Sequence, residues 1–438
     1  MKLTILGGGS VFTPMLLNGL QDYRDELQFD QIVLLDIDTE ALNRITAFMH
    51  RNLPPALLDR IDILPTTDHR EAIEGSDFIV ITIRVGGMAA RVQDEKVPMK
   101  YGILGDETIG PGGFSNALRT IPVLLDYARE IEQWAPEAWV IPFSNPEGLL
   151  TEAISRNSAI KVIGLCTAPF GMKQGLGKML DLDPTLIELD YFGVTHTAWL
   201  RGIKVDGRDM LPTLLEKVVK SDIADELYPQ AMMQAIDMYP AHWLYTLAGY
   251  EAPHWYYHHN RVFKRQIQAG RTRGEELIEK QGEMLELLEN EKSTIADLTK
   301  MRGHQVLDVP ILSLLSAIAN DKSERHVVDI PCGDAVQGFP PDMVLEIPAR
   351  IDASGAHPIP VDPLPAEVRG LVQMIKSYEE LAVRAAVGYS YDLALRALIA
   401  HPLVLSYDIA IPLLHDILIA NKPLLPDAWH DHIAQLER

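Results

Sequence analysis

Residues 2–14, Lys-Leu-Thr-Ile-Leu-Gly-Gly-Gly-Ser-Val-Phe-Thr-Pro, constrain the fold more than any other stretch of the chain. A short apolar run enters three glycines, and a helical segment follows with Thr13 placed as N-cap and Pro14 at the first helical position. Glycines at such a bend let the backbone approach a pyrophosphate, and the free N–H groups of a helix N-terminus face the anion. A second apolar run ends in Leu-Leu-Asp36-Ile-Asp38. A carboxylate there accepts hydrogen bonds from the adenosine ribose and favours NAD over its phosphorylated counterpart. The cofactor contacts expected are therefore Gly7, Gly9, Ser10, Val11, Phe12 and Asp36, with Phe12 standing where the usual fingerprint has its third glycine. A tight strand-to-helix turn without a ligand is the plainer alternative.

Beyond this unit the pattern repeats. Strand candidates at Leu3–Leu6, Ile32–Leu35, Ile61–Leu64, Phe78–Ile83, Trp139–Pro142 and Val162–Leu165 alternate with helical stretches such as Pro14–Arg24, Glu40–Arg51 and Ser115–Ile131. Such alternation predicts an α/β fold whose parallel sheet carries helices on both faces. Residues 186–206 read as strands of a second sheet, 326–360 return to short strands punctuated by Pro and Gly, and 211–304 and the stretch beyond Leu364 read as mostly helical. The expectation is a Rossmann-type, doubly wound NAD-binding domain over 1–185 and a mixed α/β domain over 186–438, the latter for metal, substrate and oligomer contacts.

Composition narrows the function. With 61 acidic and 39 basic side chains the formal charge is −22, so a nucleic-acid or anionic-membrane partner would be repelled. An anionic substrate would need a local group of arginines. Two cysteines, Cys166 and Cys332, make no disulfide framework and fit a reducing compartment. No run of ~18 apolar residues suggests a membrane span, and the N-terminus has no signal-peptide pattern. A cytoplasmic protein acting on a small molecule is expected, without nucleic-acid or membrane partners.

Several residues carry chemistry. Cys166 follows one predicted strand and His196 another. A thiolate and an imidazole suit a transition metal, yet each reads as readily as a buried core residue. Asn145 lies at the end of the fifth strand, where ligands of open α/β sheets gather, although Asn-Pro is also an ordinary turn. Residues 252–260, Ala-Pro-His-Trp-Tyr-Tyr-His-His-Asn, form the densest aromatic and imidazole group. They read as a packing cluster with histidines at its rim, or as a zinc site from His254, His258 and His259, although no acidic or cysteine partner stands nearby.

Taken in order, GGGSVFTP at 7–14, RVGGMAARVQDEKVPMKYG at 84–102, GDETIGPGGFSNALRTIP at 105–122, FSNPEG at 143–148, GLC at 164–166, the step ending at His196 and TRGEE at 272–276 resemble the NAD- and divalent-metal-dependent glycosidases of glycoside hydrolase family 4. That family stands apart from the glycosidases that work with two carboxylates. The resemblance implies NAD and Mn²⁺ (or another divalent metal) as cofactors, Cys166 and His196 as metal ligands, and Tyr256, three residues after Pro253, as the catalytic base, with Tyr257 the competing register. It also implies Arg91, Asn145 and Arg273 as substrate contacts, with Arg84 and Arg119 in matched segments. The chain departs from the family at Cys166-Thr167, where Asn, Asp or His usually follows the cysteine, at Val194-Thr195-His196 and at Gly105-Asp106-Glu107-Thr108.

The activity so implied is redox–elimination on a sugar: oxidation at C3, loss of the C2 proton and cleavage of the C1–oxygen bond. The substrate class expected is a 6-phospho-β-glucoside, acted on by a homodimer or homotetramer. Alternatives are α-glucosides, galactosides or uronides within the same family, an NAD-dependent dehydrogenase of the lactate or malate type, or a non-catalytic nucleotide sensor.

Overall fold

The computed structural model describes residues 1–219, 235–240, 270–301 and 307–436. Six strands form one parallel sheet: β1 (Lys2–Leu6), β2 (Gln31–Leu35), β3 (Asp62–Thr66), β4 (Phe78–Ile81), β5 (Trp139–Pro142) and β6 (Lys161–Val162). Their spatial order is β3-β2-β1-β4-β5-β6, the doubly wound order in which the chain reverses between β1 and β4. In register, Leu3 faces Ile32 on one side and Phe78 on the other. All four residues of β4 and the last four of β1 and β2 are buried, as expected of strands covered on both faces.

The helix Pro111–Trp134 buries most of its length against this sheet, and Asp38 caps the helix Thr39–Asn52 by accepting from the N–H groups of Glu40 and Ala41. Two local expectations fail. The helix expected over Pro14–Arg24 is instead one α-turn, Thr13–Leu16, followed by a 3₁₀ turn, Asn18–Gln21. Asn and Gly are poor helix formers, and tertiary contact reinforces the break: Asn18 donates to Asp308 at 3.3 Å, and a Cβ on Gly19 would lie 3.0 Å from the same carboxylate. Phe12, not Thr13, occupies the N-cap position, so Thr13 falls inside the turn, fully buried.

A second sheet contains β7 (Glu188–Val194), β8 (Thr197–Val205), β9 (Arg208–Asp209), β10 (Tyr239–Pro240), β11 (Glu324–Pro331), β12 (Val344–Asp352) and β13 (Gly355–Pro358). Its pairings are antiparallel, with β10-β8-β7-β12-β11 in order, β13 beside β12 and β9 beside β8. The two sheets are stitched at one point. Gly164 and Asp329 exchange backbone hydrogen bonds of 2.9 and 3.0 Å, which ends β6 sooner than the expected Val162–Leu165. The helix Ala366–Gly388 packs over Pro111–Trp134 and Glu147–Asn157, where buried Lys376 pairs with Glu152 and with Glu379 at 2.6 Å. No described helix is long and apolar enough to cross a membrane.

Candidate active site

The glycine loop after β1 lies at the β1/β4 switch point. Gly7 has φ +93°, a region that costs other residues energy, and its N–H and that of Gly8 both donate to Leu35 O at 2.8 Å. A Cβ on Gly8 would stand 2.7 Å from the Leu34 side chain. Gly9 N–H donates to Asp36 Oδ2 at 3.0 Å, Asp38 N–H donates to Asp36 Oδ1 at 3.2 Å, and Phe12 N–H donates to Ser10 Oγ at 3.2 Å. Asp36 therefore shapes the loop directly, with lone pairs left over. Asp38 is committed to its helix cap. Val11 is 3% exposed and anchors the loop in the core.

Arg84 follows β4, and Arg91 lies in the helix Gly87–Met99. Both guanidinium groups converge on Glu107: Arg84 by a short ion pair, Arg91 Nη1 at 2.9 Å from Oε1. Burial raises the Glu107 carboxyl, but Arg84, Arg91 and His196 more than offset this, bringing its pKa down to about 2. Arg91 Nε also donates to Glu95 Oε1 at 2.9 Å, while Glu95 Oε2 accepts from Gly274 N–H at 2.7 Å. The TRGEE segment is a capping box: Glu275 N–H donates to Thr272 Oγ1 at 3.3 Å, and Thr272 N–H donates to Glu275 Oε2 at 2.8 Å. It opens the helix Arg273–Glu289 and sets Arg273 at its first position, exposed and 2.7 Å from Glu276. Arg91 and Arg273 thus belong to one locality joined through Glu95. Arg119 does not: it is fully buried, bonded to Asp94, Val85 O and Asn421, a structural ion pair that removes it from any substrate surface.

Asn145 follows β5, and its carbonyl accepts from Asn116 Nδ2 at 2.8 Å. The next residues enter the helix Glu147–Asn157, and Glu147 is buried. Its Oε1 accepts from Thr151 Oγ1 at 2.5 Å, and its Oε2 lies 2.9 Å from Thr195 Oγ1. The same Thr195 hydroxyl lies 2.8 Å from Asp329 Oδ1. Asp329 sits directly across from Glu346 in the β11–β12 ladder, and Glu346 accepts from Tyr191. Burial, then the Asp329 charge, pushes Glu147 well above the usual carboxyl range, and the same two causes raise Glu346.

Cys166 and His196 border this acidic cluster. Cys166 Sγ accepts from Ala168 N–H at 3.4 Å, and burial followed by the charge of Glu346 raises the thiol strongly. His196 turns the chain between β7 and β8 with φ +65° and is 9% exposed. A thiol surrounded by carboxylates gains as a ligand of a cation, which would offset the repulsion, and a sulfur–imidazole pair suits a divalent transition ion. The donor set fits such an ion, although among the described residues no group of three or more His, Cys, Asp or Glu side chains lies in ligating geometry. Tyr256, with Pro253, Tyr257, His254, His258 and His259, lies outside the described residues.

Sequence reasoning passed over Glu147, Asp329 and Glu346. For two of them a signal was present: a single acid inside an apolar β-rich run, as in Val-Val-Asp329-Ile and Val-Leu-Glu346-Ile, is a buried charge in need of a partner; Glu147, at a helix start after Asn145-Pro146, carries no such signal. Glu107 was visible only as a member of the matched segment 105–122, beside the departure at Asp106.

Residues 2–182 match the Family 4 glycosyl hydrolase family, and residues 191–404 match the Family 4 glycosyl hydrolase C-terminal domain. A probable 6-phospho-beta-glucosidase of Bacillus subtilis is 35% identical, covering 98% of this chain and 98% of its own. A phospho-alpha-glucosidase of Clostridium acetobutylicum is 29% identical, over 96% of this chain and 98% of its own. The 6-phospho-beta-glucosidase of Thermotoga maritima, solved with manganese, NAD⁺ and glucose-6-phosphate, superposes with a TM-score of 0.86 at 25% identity, covering 97% of this chain and 99% of its own. The match spans both sheets and nearly the full length, and the chain belongs to glycosyl hydrolase family 4.

Proposed function

We propose that the protein hydrolyses 6-phospho-β-glucosides, using NAD⁺ and a divalent metal such as Mn²⁺. One observation carries the reading: the segments bearing Asn145, Cys166 and His196 meet around Asp329 at the edge of the sheet whose β1/β4 switch point holds the glycine loop. The family match across both halves of the chain supports it and weighs against a lactate- or malate-type dehydrogenase.

In this reading the loop Gly7–Phe12 receives the pyrophosphate of NAD⁺, Asp36 the ribose hydroxyls, and Ile37, 92% exposed beside it, the adenine face. Cys166 and His196 hold the metal. When bound, NAD⁺ takes a hydride from sugar C3 and later returns it, while the metal polarises the C3 ketone. Asn145 bonds sugar hydroxyls, and Tyr256 removes the C2 proton, so that the C1–oxygen bond breaks before water adds. Arg273, exposed at its helix start, and Arg91, oriented by Glu95 and Glu107, face the phosphate with charge-assisted hydrogen bonds. Two free thiols suit a cytoplasmic location. Leu405, Tyr407 and Ile419 expose apolar surface on and beside the helix Tyr407–Asn421, which favours a homodimer or homotetramer, measurable by light scattering.

Thr167 after the metal cysteine and the α-specific relative favour, as second reading, an α-linked substrate of the same phosphosugar class. The test is hydrolysis of nitrophenyl α- and β-glucosides, β-galactosides and β-glucuronides, the glucosides and galactosides with and without 6-phosphate, in the presence and absence of NAD⁺ and Mn²⁺. Release from the 6-phospho-β-glucoside alone, requiring both additions, is expected. Preference for the α-anomer selects the second reading, and turnover of none of the panel overturns both.

A further inference from the structure

Thr195 has one hydroxyl proton and two carboxyl groups in contact with it. Its Oγ1 is 2.9 Å from Glu147 Oε2 and 2.8 Å from Asp329 Oδ1. A hydroxyl donates once and accepts through its lone pairs, so it cannot donate to both carboxylates. Glu147 and Asp329 also hydrogen-bond to each other, so the three groups are satisfied together when one carboxyl carries a proton.

The surroundings give the direction. Burial raises both carboxyls, but at Asp329 it is opposed by hydrogen bonds from Glu147 and Thr195 and by the buried ammonium of Lys376, whereas at Glu147 the Asp329 charge and the bond between the two carboxyls add to it. Thr151 donates to Glu147 Oε1, leaving Oε2 as the protonated oxygen facing Thr195. The proton of Glu147 is then shared with Thr195 and Asp329, and Thr195 Oγ1–H donates to the ionised Asp329 Oδ1.

Each member belongs to a different part of the site. Glu147 lies two residues beyond Asn145, Thr195 immediately precedes His196, and the backbone of Asp329 bonds in both directions to Gly164, two residues before Cys166. Packing at the junction admits nothing larger: a Cβ on Gly164 would collide with the Glu147 carboxyl, and one on Gly148 would be 3.0 Å from Thr195 Oγ1.

We infer that Glu147, Thr195 and Asp329 form a directed hydrogen-bond clamp whose members are positioning residues, holding the His196 turn against the Cys166 loop and leaving a single negative charge, on Asp329, between the segments that carry the two proposed ligands. This inference rests on the proposed metal role of Cys166 and His196. Loss of a group that orients metal ligands typically weakens metal binding by about 10–100-fold.

The test is Mn²⁺ titration of the full-length, NAD⁺-loaded protein, followed by the electron paramagnetic resonance signal of free Mn²⁺, with NAD⁺ affinity measured separately. T195V and D329N are expected to weaken Mn²⁺ by about tenfold or more while NAD⁺ affinity stays within about twofold. T195S restores the hydroxyl, and E147Q supplies an amide N–H where the carboxyl proton stood. Both are expected to hold Mn²⁺ within about threefold of wild type, less than the loss of one hydrogen bond would cause. Should T195V fail to fold, the contrast between E147Q and D329N decides. Wild-type Mn²⁺ binding in both T195V and D329N, with loss in C166S, would overturn the clamp and leave the metal site standing. Weakening in E147Q with retention in D329N would overturn the assigned direction. Mn²⁺ binding that survives in C166S would overturn the metal reading, and the clamp with it.

Discussion

Arg91 Nη1 lies 2.9 Å from Glu107 Oε1, and the other oxygen of Glu107 pairs with Arg84. Two guanidinium groups therefore share one carboxylate, which stays ionised to a pKa of about 2 although burial opposes it. Its ordinary value is 4.5. Because the folded value is the lower one, the stabilisation is complete above about pH 4.5 and is lost as pH falls toward 2. Glu107→Gln is expected to remove that part of the acid sensitivity. It should also lower stability at pH 7 by ~1–3 kcal/mol, since buried Arg91 and half-buried Arg84 lose their shared acceptor. Urea unfolding of both proteins between pH 2 and 7 (about the range in which carboxylates titrate) checks both effects. Equal acid sensitivity in the two would show that Glu107 does not contribute it.

His401 is a second source of acid sensitivity, in a different window. Its ring is fully buried, accepts from Leu403 N–H at 3.1 Å and donates to Ile109 O at 3.0 Å. Burial lowers its pKa from 6.5 to about 3. The unfolded chain therefore binds a proton that the folded chain refuses, so stability is complete above pH 6.5 and declines as pH falls toward 3. One proton contributes a slope of ~1.4 kcal/mol per pH unit. His401→Asn should flatten the profile between pH 4 and 6 (roughly the middle of this window), with a lower plateau at pH 7. An unchanged slope would assign that window to other groups.

Asp36 shapes the glycine loop through Gly9 N–H, and the proposed function gives it the ribose hydroxyls of NAD⁺ as well. Asp36→Ala is expected to weaken NAD⁺ binding by ~1–3 kcal/mol through loss of a charged acceptor. Asp36→Asn keeps an oxygen acceptor and should weaken it less. Calorimetric titration with NAD⁺ and NADP⁺ measures both. Unchanged NAD⁺ affinity in Asp36→Ala, or native preference for NADP⁺, would take Asp36 out of the cofactor site.

Gly164 is held by space: its backbone lies outside the left-handed region, and the Glu147 carboxyl and Thr151 hydroxyl fill the position of a Cβ. Gly164→Ala should cost ~1–3 kcal/mol, the range for overpacking a filled interior. Denaturant titration reads it directly. Gly171, where a Cβ meets nothing within 4 Å, is the control, and Gly171→Ala should be neutral or stabilising. Equal effects at the two positions would contradict the packing described.

The base assigned to Tyr256 makes a prediction that a two-carboxylate glycosidase cannot meet, because such an enzyme never breaks the C2–H bond. Turnover in D₂O is expected to place deuterium at C2 of the released sugar phosphate, seen by NMR. Tyr256→Phe should abolish both exchange and hydrolysis while NAD⁺ and Mn²⁺ still bind. Exchange retained in Tyr256→Phe and lost in Tyr257→Phe would move the base by one position.

The parallel sheet was legible along the chain because β1, β2, β4 and β5 are short apolar runs rich in β-formers, and helices separate the strands in sequence. Local pattern and global fold agree there, so a window of a few residues carries the information. The glycine loop was legible for the same reason: φ at Gly7 and the space beside Gly8 are requirements of the backbone itself. The family was visible in motifs that keep their order over the first 280 or so residues, and the match to both domains agrees.

What the chain did not announce are features made by distance. The helix expected over Pro14–Arg24 breaks where Asn18 meets Asp308, 290 residues away. Arg84, Arg91 and Arg119 look alike as cations in matched segments, yet packing commits Arg119 to the interior and draws Arg91 and Arg84 onto the carboxylate of Glu107. The Glu147–Thr195–Asp329 contacts span 48 and 134 residues. A carboxyl's protonation follows from how much water it loses and which charges replace that water, and both are settled only when strands from the two sheets close around it.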